Sequence, residues 1–417
     1  MGASTVLQQR LRGSRCYMSL ACSIGSMSLA CGSLLQIPNI TDRISLQRGL
    51  FLTSLGFIYF VSLTDFCHKY LLNTKHGLQF RKKYRLMMSD VMEITNKIVS
   101  AVQATFSFLV GFIVCKSTCS KSFVYASHFL MEAYGWFGTA YFMYDIWSMY
   151  KVHTQKIADK LKLMRLNAAT TGATSSNGVN VGNGIASGGC GDSGDDSPVR
   201  VAPQQRENDD IYDYDGECVQ IPKDGKWDFI KYVITHPVMM IHHVFIGTFG
   251  LLVVTYIRGG GHCIYSYMFM MEFSTPFVSM RSILSTMRLK DSRAYIINGL
   301  LMLGTFFVFR VFMWPYVMYR YSVAINASLW QALTTLPTGC IISIMILFLP
   351  QLYWFFLMVK GALKVLLPPK QKAPATKKLR QSKNNNLSPV TPNAEHDFSQ
   401  ICNAEVHSAA DMPSTRD

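Results

Sequence analysis

The sequence predicts an all-α fold, a polytopic bundle of transmembrane helices. Three observations predict it. Seven apolar runs approach or exceed the ~20 residues a helix needs to cross a bilayer. Hydrophobic residues make up 49% of the chain and charged ones 16%, against about 25% charged in an average soluble domain. Lysines and arginines collect in every second loop between the runs. This balance excludes chain-wide disorder, a coiled coil and a collagen-like repeat, and it argues against a soluble globular enzyme. No run alternates with period two, so a membrane β-barrel is not expected either.

In chain order, residues 17–37 form a weak, small-residue-rich run preceded by Arg10, Arg12 and Arg15. It reads as an eighth span or a signal peptide. The strong runs follow at 50–67, 97–116, 123–149, 232–257, 263–287, 294–319 and 333–359. A Gly/Ser/Asn/Ala tract and an acidic patch (ENDDIYDYDGE) interrupt the pattern over 166–226. Such a composition cannot bury enough apolar surface to fold and predicts a flexible loop. Residues 366–417 form a second polar segment, basic first and then mixed. The expected organisation is an N-terminal segment 1–49, a membrane domain 50–365 carrying the insert, and a basic tail 366–417.

The net charge of +15 admits nucleic acid or an anionic membrane surface as partner. The bases cluster at the ends of apolar runs, so membrane lipids are the expected partner and nucleic acid is not. Basic groups such as Arg81, Lys82 and Lys83, then Lys156, Lys160 and Lys162, then Arg288, Lys290 and Arg293 mark alternate loops. By the positive-inside rule those loops and the C-terminal tail face the cytosol. Two sequons, Asn39-Ile40-Thr41 and Asn326-Ala327-Ser328, fall on the opposite, lumenal side. With 17–37 as a span, its arginines also reach the cytosol, which favours eight spans. The eleven cysteines are scattered, with no CxxC pair or Cys/His block. Most sit in apolar stretches and read as reduced packing residues, with Cys115 and Cys119 as helical neighbours and no metal site expected.

Polar residues within the runs are costly there and so mark candidate sites. His242 and His243 are adjacent in the fourth run, their side chains about 100° apart around the helix. His236 lies seven residues before His243, on the same face of a continuous helix. An imidazole with a pKa near ~6.5 can serve as base, acid or acyl acceptor. It can equally hydrogen-bond a neighbouring helix and do no chemistry. Asp145 lies near the cytosolic end of the third run, which passes antiparallel to the fourth, so its depth matches that of the histidines. A carboxylate bonded to an imidazole fixes its tautomer, as general-base chemistry requires; alternatively Asp145 meets water or Lys151. Glu272 in the fifth run and Arg310 in the sixth also share a depth, and an ion pair between them reads first as structural. Pro276 should kink the fifth helix, with Ser274 and Thr275 bonding the freed backbone. Asn298 is placed to join the histidine cluster.

Several blocks together carry a resemblance: Ile98 to Val102 (IVSAV), Tyr144-Asp145, Met240 to His243 (MIHH), Glu272 to Ser279 (EFSTPFVS), Asn298-Gly299, and Pro350 to Phe355 (PQLYWF). In this order they resemble the TLC-domain family, whose members include the ceramide synthases and the translocating-chain-associated membrane proteins, and in particular its ceramide-synthase-like subgroup. The resemblance covers about residues 90–365 apart from the insert. It implies an endoplasmic-reticulum or Golgi protein of sphingolipid metabolism. It also implies acyl transfer from acyl-CoA to the amine of a sphingoid base, with His242 and His243 in the active site, acyl-CoA as co-substrate and no cofactor. In the synthases a later helix carries a His/Asp-rich element; here that stretch offers Glu272. Gln103 stands where close relatives place a histidine. Two other readings of the same fold are a non-enzymatic lipid-binding, sensing or transfer protein and a receptor or transporter. The second is disfavoured because no inverted repeat is evident.

Overall fold

The computed structural model describes residues 3–37, 39–175, 226–256 and 261–366, and among these it is helical with no strand. The first five helices are α1 (Ala3–Leu34), α2 (Leu46–Asn73), α3 (Lys75–Tyr84), α4 (Met88–Thr118) and α5 (Phe129–Ser175). After the insert come α6 (Lys226–Thr235), α7 (Pro237–Val244), a π-helical turn over Phe245–Gly250 and α8 (Leu251–Tyr256). Then follow α9 (His262–Met270), a 3₁₀ turn (Met271–Ser274), α10 (Thr275–Thr286) and α11 (Arg293–Phe306). A second π turn (Phe307–Phe312) leads to α12 (Met313–Ala324), α13 (Leu329–Thr335) and α14 (Thr338–Leu366).

Among the described residues, six helical stretches are long and apolar enough to cross a membrane: Cys16–Leu34, Leu46–Asn73, Met88–Thr118, Pro237–Thr255, Arg293–Ala324 and Thr338–Leu363. The weak N-terminal run is among them. The expected third and fifth spans, now α5 and α9–α10, fall short of that apolarity. Both pack inside the bundle, where a helix can turn polar groups toward protein instead of lipid. On α5, Glu132, Thr139, Asp145 and Ser148 are buried, and so are Ser266 on α9 and Ser279 on α10. At 47 residues and ~1.5 Å per residue, α5 is about 70 Å long, more than twice the ~30 Å hydrocarbon core. It runs on through residues 166–175, where Leu166, Ala168 and Ala169 sustain the helix into the expected insert. The rest of that insert, and the tail from residue 367, lie outside the described residues.

Local chemistry fixes where the elements start. Ser45 caps α2 by accepting from the Arg48 amide, and Thr74 caps α3 by accepting from the Gly77 amide. Arg81, Lys82 and Lys83 occupy the last turn of α3, where cations suit the helix dipole. Asp159 on α5 accepts from the Ser89 amide (2.8 Å) in the first turn of α4, so an acidic group meets the positive end of that dipole. One aromatic core joins α2 to α5 through Tyr59, Phe60, Phe137, Tyr141 and Tyr144. A second gathers α9 and α12 through Cys263, Tyr267, Met313 and Trp314.

At the end of the bundle expected to be lumenal, backbone and side chains lace the loops together. Gly261, at φ +85°, takes a backbone form that glycine tolerates best and donates its amide to Val124 O (2.6 Å). Glu132 is buried, paired with Arg43 (2.9 Å) and accepting from the Ile44 amide. The same end holds a disulfide between Cys119, just past α4, and Cys263 on α9. This corrects the expectation that Cys119 is only a helical neighbour of Cys115, and it takes Cys119 and Cys263 out of the reduced packing residues. Cysteines 144 residues apart in sequence meet only because the Val124–Ala126 loop pairs with Gly261 and His262.

Candidate active site

The side chain at the centre is His243 on α7. Its Nε2 lies 2.8 Å from Asp145 Oδ2 on α5, and its Nδ1 lies 2.9 Å from the Met239 carbonyl oxygen. Both groups are buried. Nδ1 must donate, because a carbonyl can only accept. With both nitrogens engaged, His243 presents no lone pair to a substrate. It is a fixed partner for Asp145, not a free base. The second oxygen of Asp145, Oδ1, is buried and has no hydrogen-bond partner among the described residues.

His242 differs. Its ring stands edge-on to His243 (centroids 5.8 Å apart) and to Trp354 of α14 (6.1 Å). No hydrogen bond among the described residues engages either of its nitrogens. Glu272 and Arg310 lie near enough for their charges to act on it. Of the pair, His242 is therefore the imidazole with a nitrogen available for proton transfer or nucleophilic attack.

Glu272 and Arg310 form a second polar group across from α7. Arg310 Nη2 donates to Glu272 Oε2 (3.0 Å) and to Thr275 Oγ1 (2.7 Å), and its Nε donates to Ser274 Oγ (2.8 Å). Thr275 Oγ1 in turn donates to Glu272 Oε2 (2.6 Å). Ser274 does serve the backbone before the proline, its Oγ donating to the Met271 carbonyl (3.5 Å), and Ser274 and Thr275 both also complete the shell of the guanidinium. Their placement follows from Pro276, which stands at the start of α10 and ends the 3₁₀ turn that carries Glu272.

Two supporting residues fall elsewhere. The helix breaks at His236 (φ −122°, ψ 55°), between α6 and α7, because Pro237 cannot continue it. The seven-residue spacing to His243 therefore no longer marks one face. His236 stacks on Tyr232 (4.5 Å) and bonds Thr235 and the Tyr232 carbonyl. Asn298 donates to the Phe277 carbonyl (2.9 Å) and ties α11 to α10, leaving the histidines to other partners. Gln103 is buried against Tyr134, whose hydroxyl donates to the Gln103 carbonyl (2.9 Å). Trp354 was not singled out for the site; its place in the PQLYWF block was the only signal for it. Among the described residues no cluster of His, Cys, Asp or Glu could hold a metal ion.

The π turns and the 3₁₀ turn coincide with this chemistry. One π turn begins two residues after His243, the other contains Arg310, and the 3₁₀ turn contains Glu272. Single π turns within α-helices recur at functional sites because they re-aim side chains at a cost in helix stability.

Comparison with known proteins gives the family. The family model for the TLC domain matches residues 93–360, which contain Asp145, both histidines, Glu272 and Arg310. A TLC domain-containing protein 4 A of Dictyostelium discoideum is 27% identical over 150 residues, which are 36% of this chain and 57% of that relative's length. No solved structure matches. The chain belongs to the TLC-domain family.

Proposed function

We propose that this protein acts in sphingolipid metabolism in the endoplasmic reticulum or Golgi, transferring an acyl group from acyl-CoA to the amine of a sphingoid base. The observation that carries the reading is the 2.8 Å bond between His243 and Asp145 beside a His242 whose nitrogens no described group engages. In the reaction the amine lone pair attacks the thioester carbonyl and a C–N bond forms. His242 takes the amine proton, and the C–S bond breaks to release the coenzyme thiolate, which the proton can then neutralise. His243 holds its neighbour's backbone and ring in place through Asp145. Glu272 and Arg310 set the charge around His242.

A disulfide at the ends of α4 and α9 supports the orientation behind this reading. Disulfides persist in oxidising compartments such as the endoplasmic-reticulum lumen. With that end lumenal, the tail following α14 is cytosolic, and His242 and Asp145 lie toward the side that acyl-CoA occupies.

A second reading, lipid binding or sensing on the same fold, is favoured by one observation. Asp145 Oδ1 is a buried acceptor without a partner among the described residues, and it could receive the amine or hydroxyl of a bound lipid headgroup without chemistry. Purified protein supplied with acyl-CoA and sphinganine separates the two. Acyl transfer predicts ceramide formation that falls on the order of 10²-fold or more in His242→Ala and in Asp145→Asn, with folding intact. Ceramide no greater than in the His242→Ala/His243→Ala double variant ends the enzymatic reading. Loss of co-purifying sphingoid lipid from Asp145→Asn would then favour the second.

A further inference from the structure

An open cleft of about 530 Å³ lies between the ends of α1 and α2 expected to be lumenal, lined by Ser28, Leu29, Gly32, Gln36, Gln47, Arg48 and Phe51 among others. It precedes the residues matched by the family model and contains no residue of the candidate active site. Its lining divides by height. Leu29 and Phe51 are 61% and 47% exposed and form an apolar wall where the helices enter the membrane. Gln36, Gln47 and Arg48 sit at the helix ends, where a bilayer gives way to headgroups and water.

Several charges at this end are paired within the protein. Arg43 pairs with Glu132, and Asp42 receives the Asn39 side chain. Arg320 donates to the Tyr316 hydroxyl. The guanidinium of Arg48 has no hydrogen bond or ion pair among the described residues, and the side-chain amides of Gln36 and Gln47 have none either. Gly32 leaves the floor open, since a Cβ added there would meet nothing within 4 Å.

We propose that this cleft binds one hydroxylated anionic phospholipid from the bilayer, its phosphate on Arg48, its headgroup hydroxyls on Gln36 and Gln47, and its acyl chains along Leu29 and Phe51. A guanidinium matches phosphate through paired, charge-assisted hydrogen bonds. Two amides supply both donors and acceptors for sugar-like or glycerol hydroxyls. The apolar wall selects a lipid over a soluble phosphate ester.

The test uses the full chain in nanodiscs of phosphatidylcholine doped with phosphatidylinositol, with retained lipid read by native mass spectrometry. Wild type should retain phosphatidylinositol at least fivefold over its share of the bilayer. Arg48→Gln should bring retention to that share, with the melting temperature unchanged. Gly32→Leu, which fills the floor from an open position, should do the same through shape alone and so stands in if Arg48→Gln fails to fold. Soluble inositol phosphate should not compete at concentrations where the lipid saturates. Retention at the bilayer share in wild type, retention undiminished in Gly32→Leu, or competition by the soluble headgroup would each overturn the proposal.

Discussion

Arg310 shows how one residue can be expensive and still settled. A cation within an apolar bundle costs several kcal/mol unless it is paired and hydrogen-bonded. Here Glu272, Thr275 and Ser274 answer three donations from two of its nitrogens. The arrangement predicts strong non-additivity. Arg310→Met leaves the Glu272 carboxylate with Thr275 alone and should destabilise by about 3 kcal/mol, as breaking a buried pair from one side does. Glu272→Met should cost a similar amount by stranding the guanidinium. The Glu272→Met/Arg310→Met double variant should lose clearly less than the two losses combined, because no uncompensated charge remains. Thermal unfolding in detergent measures all three. Simple additivity would mean that the two charges do not depend on each other. The histidines follow the same logic on a finer scale: His243 commits both nitrogens to Met239 and Asp145, while no hydrogen bond among the described residues engages those of His242.

Helices α4 and α9 come close at Gly111, where a Cβ would lie 2.6 Å from the Ser266 carbonyl oxygen and 3.0 Å from the Met270 amide nitrogen. Both obstacles are backbone, so no side-chain rotation relieves them. Gly111→Val should push α9 away from α4 and cost about 1–3 kcal/mol by overpacking. Gly304→Ala, on an open face of α11, should be neutral or stabilise by up to about 1 kcal/mol. Melting temperatures of the two variants check the contrast, and equal tolerance would show that the helices are free to separate. Because α9 leads directly into the turn carrying Glu272, the glycine contact also sets where that carboxylate stands. The sequence made part of this legible. Antiparallel runs with Asp145 and His243 at one depth, and Glu272 and Arg310 at another, point to their pairings by arithmetic on span direction. The break at His236 was equally written, in Pro237, but the histidine spacing drew the eye to an unbroken helix. The π turns were not legible, since nothing in FIGTFG or FVFRVF marks a widened turn in place of an ordinary one. Nor was the polarity of α5 and α9–α10 readable as a sign of interior position, because an interior helix and a weak span share one composition until their neighbours are known.

For the molecule as a whole, a covalent link among the described residues ties the two sides of the insert together. Cys119 precedes the insert and Cys263 follows it, so cleavage between them divides the chain without separating its halves while the disulfide holds. This gives one experiment with two readouts. A protease recognition sequence placed between Ser187 and Gly188 should be cut in intact microsomes by protease added from outside if the insert lies in the cytosol, as the positive-inside rule predicts. The cut chain should run as one band on a non-reducing gel and as two after reduction. Cys263→Ser should give two bands under both conditions, and its melting temperature should fall as expected from loss of about 2–4 kcal/mol of cross-link stabilisation. Protection of the site until the membrane is permeabilised would reverse the orientation. Two bands without reductant in the wild-type chain would remove the disulfide. The readouts are linked by compartment: a cytosolic insert and an oxidised lumenal pair require that α5, on one side of the insert, and the stretch from α7 to α8, on the other, both traverse the bilayer. Residue composition alone leaves that undecided for α5.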